Sequence, residues 1–352
     1  MTPPGPSRRD PPELTIVTGA SGWFGRTLMR TLASASDDLH RVGTIRALAG
    51  SHLELELLEG LGDQVELFVG DITERGLIDR LFADAQGADV IHAAGVVHPE
   101  RVSEFERVNV GGTAAVATAA RAARVRRLVH VSSNSPFGVN PRPDDLFRAE
   151  EPYNPYMEYG RTKMEAEIIV RAAHCDDLET TVVRPPWFYG PHQPARQTAF
   201  LTLIRKGRFP LIGDGSNRRS MVHVDNLVQG VVLAELTEEA AGRAYWIADR
   251  QSYTMQEIIE TTRRALAAEG MPVRDATPRL PSVVSRLAET ADRMLQQRGI
   301  YQQQIHVLSE MNKTIACDIS AAEHDLGYEP EIELYDGMRG AIAWCIAEGL
   351  EL

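Results

Sequence analysis

Cysteine is scarce: Cys175, Cys317 and Cys345 are the only three in 352 residues, far apart and with no CxxC spacing. That argues against a disulfide framework and a zinc site, and fits a reducing cytoplasm. Excess positive charge is missing too. A formal net charge of −12 disfavours a general nucleic-acid binder, because phosphate binding needs clustered cations. The one basic run, Arg121, Arg124, Arg126 and Arg127, reads as the solvated end of a helix. No stretch approaches the roughly 20 apolar residues that a spanning helix needs. The proline-rich opening "MTPPGPSRRDPPE" has no apolar run either, so residues 1–12 read as a disordered lead-in and not as a signal peptide. The expectation is a cytoplasmic protein with a small-molecule substrate, no nucleic-acid partner and no stable membrane insertion.

What the chain does have is strand–helix alternation. "LTIV" (14–17) is a buried strand by length and composition, followed by a helix with Phe24, Leu28 and Leu32 on one face. "VGTIRAL" (42–48), "VELFVG" (65–70), "DVIHAAG" (89–95), "RLVHVSS" (127–133) and "TTVVRP" (180–185) repeat the theme. Such alternation implies α/β architecture with a parallel sheet covered on both faces. After residue 185 turns become frequent. A helix from about Asp225 turns Leu227, Val231 and Ala234 inward, and "AYWIA" (244–248) returns a strand to the sheet. "TMQE" (254–257) and "SAAE" (320–323) are capping boxes, the second opening a short helix that ends at Gly327. The expected organisation is a Rossmann domain over 13–185, doubly wound, and a smaller, mostly helical substrate-binding region over 186–352.

"TGASGWFG" (18–25) joins the first strand to the first helix. Its glycines, Gly19, Gly22 and Gly25, let the backbone turn tightly and approach a pyrophosphate at the helix N-terminus, with Ser21, Trp23 and Phe24 in the same turn. A glycine-rich turn alone is a weak signal; placed between strand and helix it is a strong one. The end of the second strand normally carries an acid that accepts the adenosine ribose hydroxyls and repels a 2′-phosphate. Here "ALAGSH" offers none before Glu54, so the reading leans to NADP over NAD. Arg46 either helps bind that phosphate or points elsewhere. Asp71, in "VGDI" beside Ile72, either hydrogen-bonds the adenine or caps the next helix.

Together, "TGASGWFG", "GDI", "HAAG" (92–95), "NVGGT" (109–113), "HVSSNSPFG" (130–138), "YGRTK" (159–163), "RPPWFYGP" (184–191) and "GDGSNRRSMVHVDN" (213–226) resemble the extended short-chain dehydrogenase/reductase family over nearly the whole chain. The resemblance implies NAD or NADP on a Rossmann sheet and a homodimer formed by two helices per subunit. It identifies Tyr159 and Lys163 as the YxxxK pair and Ser133 as the catalytic hydroxyl. Lys163 also holds the nicotinamide ribose in that reading, and Ala93, Ala94, Gly95, Asn109 and Pro185 fall at cofactor-contacting positions. The chemistry agrees. A tyrosine titrates near 10 in isolation, so a lysine one helical turn away and the cationic nicotinamide are what favour its phenolate. Tyr153 and Tyr156 have Met157 and Gly160 at i+4 and read as packing residues at a substrate mouth. Ser132 and Ser135 read as supports of Ser133, Asn109 as a loop-ordering residue or an N-cap, and His92 and His130 as core residues.

The family's reactions range over dehydrogenation, ketone reduction, epimerisation, dehydration and decarboxylation. 4,6-Dehydratases carry Asp-Glu directly after the catalytic hydroxyl; here Asn134 and Ser135 stand there. Trp187 holds the place of an asparagine that contacts sugar-nucleotide phosphates. "KGRFPLIGDGSNRRSMVHVDNLVQG" and "CDISAAEHDLGYEP" look closest to the 3β-hydroxysteroid dehydrogenase-like branch, which acts on bulky secondary alcohols and ketones. Arg219 pulls the other way, as a phosphate ligand in sugar-nucleotide relatives, or is structural and paired with Asp225 or another carboxylate. The leading expectation is therefore an NAD(P)-dependent alcohol/ketone oxidoreductase with Ser135, Trp187 and Arg219 as substrate contacts. The alternatives are a nucleotide-sugar 4-epimerase or ketoreductase and, remotely, a non-catalytic dinucleotide sensor. Over 281–308, Val283, Val284, Leu287, Ala291, Met294 and Leu295 fall at helical spacing with charges opposite. That segment is a lid, a membrane- or partner-facing surface or, by default, ordinary packing on the C-terminal region.

Overall fold

The computed structural model describes residues 5–352. Seven strands form one parallel sheet in the order β10-β6-β5-β4-β1-β2-β3. They are β1 (Leu14–Thr18), β2 (Thr44–Ala49), β3 (Val65–Val69), β4 (Asp89–His92), β5 (Arg127–Val131), β6 (Glu179–Arg184) and β10 (Ala244–Trp246). β7 (Trp187–Tyr189), β9 (Arg218–His223) and β11 (Ser252–Thr254) make a second sheet, and β8 (Leu211–Ile212) pairs with β12 (Arg279–Leu280). The central strands are apolar and β-branched, as strands buried on both faces must be: Ile16, Val17, Val90, Ile91, Leu128 and Val129 are all fully buried.

Helices cover both faces. α1 (Trp23–Ala33) and α6 (Val224–Leu236) pack Leu28, Leu32, Leu227 and Val231 into one core layer. α2 (Arg75–Leu81), α3 (Thr113–Ala122) and α4 (Met157–Ala173) pack Leu77, Leu81, Val116, Ala120 and Val170 into the other. α5 (Ala195–Arg205), α7 (Met255–Ala268) and α11 (Leu334–Ala347) build a third core with β9 around Ile204, Ile258 and Ile342. α8 (Val283–Gln296), α9 (Gln303–Glu310) and α10 (Ser320–Leu326) complete the chain. Chain order runs β1 to β3 on one side and resumes with β4 on the other. The crevice at the carboxyl ends of β1 and β4 is therefore the topological switch point, where ligands bind in open α/β sheets.

Three local expectations change. Arg126 and Arg127 are not a solvated helix end. Arg126 pairs with the buried Asp89, and Arg127 is fully buried, bonding Glu179 at 2.6 Å and the carbonyls of Ala234 and Glu235 at the end of α6. A cation there complements the negative end of the helix dipole. Of the lead-in 1–12, residues 1–4 lie outside the described residues, but the rest is tied down: the Arg9 amide donates to Leu236, its guanidinium forks onto Glu179, and Ser7 accepts from the Glu238 amide. The "TMQE" capping box forms, with both Thr254–Glu257 bonds present, whereas "SAAE" does not. Asp318 instead accepts from the Ser320 amide at 2.7 Å, because an Asx turn just before the helix offers a carboxylate that a serine hydroxyl cannot match.

Candidate active site

The motifs at the strand ends fall at the carboxyl edge of the main sheet, while "GDGSNRRSMVHVDN" runs through β9 of the second sheet. The glycine turn follows β1, Ala93–Gly95 follows β4, Ser132–Ser135 follows β5 and Pro185 follows β6. The turn is built for backbone approach. Gly19 has φ +72°, and a Cβ at Gly25 would sit 2.0 Å from the Gly19 carbonyl oxygen. Gly22 is the N-cap of α1 and offers no side-chain cap, leaving the first helical amides available to an anion. A cradle that no side chain can enter, ending on uncapped amides, fits a dinucleotide pyrophosphate.

Around it the remaining candidates separate. Asn109 lies inside a π-helical stretch, Phe105–Gly112, and is no N-cap. Its amide group accepts from the Val96 amide at 2.8 Å and donates to Val96 O at 3.1 Å and to Thr162 at 3.3 Å, tying the loop after β4 to α4. Ile72 is buried against Gly112. Asp71 holds the Thr73 turn and pairs with Arg107; partial burial opposes its ionisation, yet these bonds keep its pKa below the ordinary value. Arg46 turns away from the glycine cradle: it bonds Glu66 at 3.0 Å and the carbonyls of Leu81 and Ala83 at the end of α2. Glu54 takes the place the sequence left empty. A 3₁₀ turn over His52–Leu58 folds its carboxylate back onto the Gly50 amide at 3.1 Å and the Ser21 hydroxyl, beside the end of β2.

The three tyrosines before and on α4 have three different partners. Tyr153 donates to Glu167 at 3.0 Å, and Tyr156 meets Ser309 at 2.8 Å. Tyr159 alone faces Ser133. Gly160 makes this possible, since a Cβ there would lie 2.5 Å from the Ser135 carbonyl oxygen, and the same carbonyl accepts from the Tyr156 amide. The first turn of α4 thus lies against the Ser133 loop. Ser133 Oγ donates to Ser135 Oγ at 3.3 Å. Burial pushes the Tyr159 phenol above its ordinary pKa, more than its contact with Ser133 and the nearby Arg196 lower it. Lys163 is buried and its ammonium donates to the Val131 carbonyl at 2.9 Å, with His130 at 3.5 Å; burial lowers its pKa to about 8. One turn further along α4, Glu167 accepts from Ser132 at 2.9 Å and from Arg184 at 2.9 Å in a fully buried pair. His92 is a core residue, bridging Thr18 and Thr113 and held neutral by burial at about 3.

α8, α9 and the turn between them roof this cleft. The Glu158 amide at the start of α4 donates to Gln296, Val102 to the Gly299 carbonyl, and His98 meets the Tyr301 hydroxyl at 2.7 Å. Phe105 lies 5.8 Å from Tyr159 and 5.5 Å from Tyr301, ring centre to ring centre, and Tyr156 lies 5.9 Å from His306. The wall over the phenol is thus aromatic. Two arginines reach the same space. Arg219 bonds the Glu310 carbonyl under α9, with its Nε unpartnered, and does not pair with Asp225, which faces His223. Arg196, in the first turn of α5, has Tyr159 and Tyr301 as its electrostatic neighbours. Trp187 packs edge-on against Phe200 at 5.2 Å, part of the third core's margin. Sequence reasoning noted Glu54 but gave it no role, and missed Glu167, Arg196, Phe105 and Tyr301. Glu167 had a signal, one turn beyond Lys163; the roof residues are brought in from distant segments and had none.

This sheet order, glycine cradle and Ser–Tyr–Lys cluster define an extended short-chain dehydrogenase/reductase. The chain belongs to the NAD dependent epimerase/dehydratase family, whose model matches residues 15–248. An uncharacterized protein of Sinorhizobium fredii, y4nL, is 45% identical over 96% of each chain. The 4-hydroxy-2-methyl-3-oxo-4-farnesyl-3,4-dihydroquinoline-1-oxide ketoreductase of Stigmatella aurantiaca is 28% identical over 92% of this chain and 94% of its own. The fold is shared with the solved UDP-glucuronic acid 4-epimerase of Bacillus cereus in complex with NAD, at TM-score 0.73 and 20% identity, covering 95% of this chain and 99% of that one. The described residues contain no helix long and apolar enough to cross a membrane.

Proposed function

We propose that this protein is an NAD-dependent oxidoreductase acting on a secondary alcohol or ketone of a bulky, largely apolar, non-nucleotide substrate, with Tyr159 exchanging the hydroxyl proton. The observation that carries it is the position of the Tyr159 phenol, beside Ser133 and beneath the aromatic roof of Phe105 and Tyr301. The ketoreductase relative acts on a farnesylated ketone, which supports a substrate of this character.

When bound on the glycine cradle, the nicotinamide supplies or accepts hydride. Ser133 hydrogen-bonds the substrate oxygen and orients it. Tyr159 donates its proton to that oxygen as the carbonyl is reduced. Its raised pKa keeps the phenol protonated at neutral pH, which suits reduction better than alcohol oxidation. Lys163, one turn along α4 and anchored to the Val131 carbonyl, is placed to hold the nicotinamide ribose and to offset the phenolate left behind. Glu54 supports NAD over NADP, reversing the lean drawn from the strand end. A carboxylate between Ser21 and Gly50 can accept ribose hydroxyls and repels a 2′-phosphate. Ser135 supports Ser133, while Arg196 offers the substrate a cation. Dimerisation through the outer faces of α3 and α4, where Ala117, Thr118, Ala122, Ala172 and Ala173 line an open groove, belongs to the same reading.

The test is Tyr159→Phe. Removing the hydroxyl should lower kcat for ketone reduction by roughly 10²–10⁴-fold while leaving NADH binding intact; full turnover by this variant would end the assignment. A second reading, a nucleotide-sugar 4-epimerase, is favoured by one observation, the unpartnered Nε of Arg219. It requires stabilisation of the protein by a UDP- or dTDP-sugar in a thermal shift assay.

A further inference from the structure

The roof helix α8 is inside out. Its buried face consists of Ser285, Ala288, Asp292 and Gln296, while Val283, Leu287 and Met294 are 53%, 66% and 48% exposed. Ile300 and Val307, each 44% exposed, carry the apolar surface across the turn and onto α9. The polar inner face is satisfied. Ser285 shares its one hydroxyl hydrogen between the Ser309 carbonyl at 2.8 Å and Asn312 Oδ1 at 2.6 Å, and Asp292 accepts from Gln296 at 2.8 Å and bonds His306 at 2.7 Å. Hydrogen bonds therefore seat the roof, and folding makes no use of the apolar stripe. An amphipathic helix normally buries that side, and a continuous exposed apolar surface marks an interaction site.

Charge selects the occupant. Arg286 and Arg293 on α8 and Arg298 in the turn after it are all exposed. The acids over 279–310 are Asp292, fully buried, Glu310, which faces His306 at 3.8 Å, and Glu289, whose carboxylate holds Lys313 at 2.7 Å and reaches Arg293 at 3.5 Å, leaving Arg286 and Arg298 without a carboxylate partner among the described residues. A cationic rim thus accompanies an apolar stripe on a chain with net charge −12. A second copy of this face would bring arginines against arginines across a twofold axis, which like-charge repulsion opposes. Apolar stripe and basic rim together are the signature of a helix lying in a lipid interface.

We propose that the α8–α9 roof docks on an anionic lipid surface, with Val283, Leu287, Met294, Ile300 and Val307 at the headgroup–acyl boundary and Arg286, Arg293 and Arg298 against lipid phosphates. The docked element is the one that covers Tyr159, so the cleft would open beside the bilayer. Lipid binding stands on this surface alone and needs no turnover, so its failure and that of the oxidoreductase reading are distinguishable.

The experiment is co-sedimentation of the full chain with vesicles of phosphatidylcholine containing half phosphatidylglycerol, and with phosphatidylcholine alone. Strong binding to the first and weak binding to the second is expected. Leu287→Glu with Met294→Glu should weaken binding at least tenfold without lowering Tm, since both side chains are exposed. Arg286→Gln, Arg293→Gln and Arg298→Gln together should weaken binding to the anionic vesicles on the order of a hundredfold and leave the neutral ones unaffected. No binding to either vesicle, equal binding to both, or wild-type binding by the glutamate variant would overturn the proposal. So would light scattering in which the glutamate variant loses a dimer present in the wild type, since the face would then be occupied by a second copy.

Discussion

Replacing Lys163 by methionine separates what the lysine does for catalysis from what it costs the fold. In the protein without cofactor the ammonium is buried against the Val131 carbonyl, and its pKa falls from 10.5 to about 8. At about 1.4 kcal/mol per pH unit, holding that charge below pH 8 costs the native state about 3 kcal/mol. Methionine fills similar space without charge but forfeits the hydrogen bond to Val131, about 1 kcal/mol. A net gain of about 2 kcal/mol remains. For 352 residues at about 2.1 cal/mol/K each, the unfolding entropy is about 0.7 kcal/mol/K, which makes the gain about 3 °C in Tm. The pH dependence follows from the depressed pKa. Between 8 and 10.5 the unfolded lysine binds the proton more readily than the folded one, so wild-type stability rises with pH across that window while the variant's does not. Scanning calorimetry of cofactor-stripped protein at pH 7 and pH 10 is the assay. Lys163→Met should be the more stable at pH 7, lose that advantage by pH 10, and be inactive at both. A variant less stable than wild type at pH 7, or a Tm difference independent of pH, would refute the reasoning.

Glu167→Ala should leave the buried Arg184 guanidinium without its carboxylate and lower stability by about 3–5 kcal/mol in urea melts; Glu167→Gln, which keeps partners for Ser132 and Tyr153, should lose less. Glu54→Gln should reduce kcat/KM with NADH and raise the NADPH/NADH ratio about tenfold or more, since the repulsion of a 2′-phosphate is removed; an unchanged ratio would mean that this carboxylate does not face the ribose.

The main sheet was legible because each central strand is a short apolar run between turn signals, and the returning strand at Ala244–Trp246 was readable in "AYWIA". The Ser133–Tyr159 pairing was legible through its motif, although the physical reason lies in Gly160 and the Ser135 carbonyl, which only packing reveals. Glu54 was seen and passed over, since a residue five positions beyond the strand end is out of reach until the 3₁₀ turn folds it back. Periodicity located α8 correctly. It could not tell which face turns inward, because the usual rule assumes apolar burial and here hydrogen bonds from Ser285 and Asp292 set the orientation. Arg46 and Arg219 show the same limit from another side: a cation's partner depends on carbonyls that no linear pattern marks.

The edge strand β10 has a consequence for how this fold can be taken apart. Its three residues pair with β6, yet they arrive only after β7, α5, β8, β9 and α6 have been traced. A chain cut at residue 185 would expose β6 as a bare sheet edge and lose α6, whose Leu227, Val231 and Ala234 fill one core layer. An exposed edge of that kind invites intermolecular pairing. The cofactor half is therefore not a module that recombination can lift out whole. Specificity in such a chain has to diverge within the inserted segments, around a frame that closes only once they have folded.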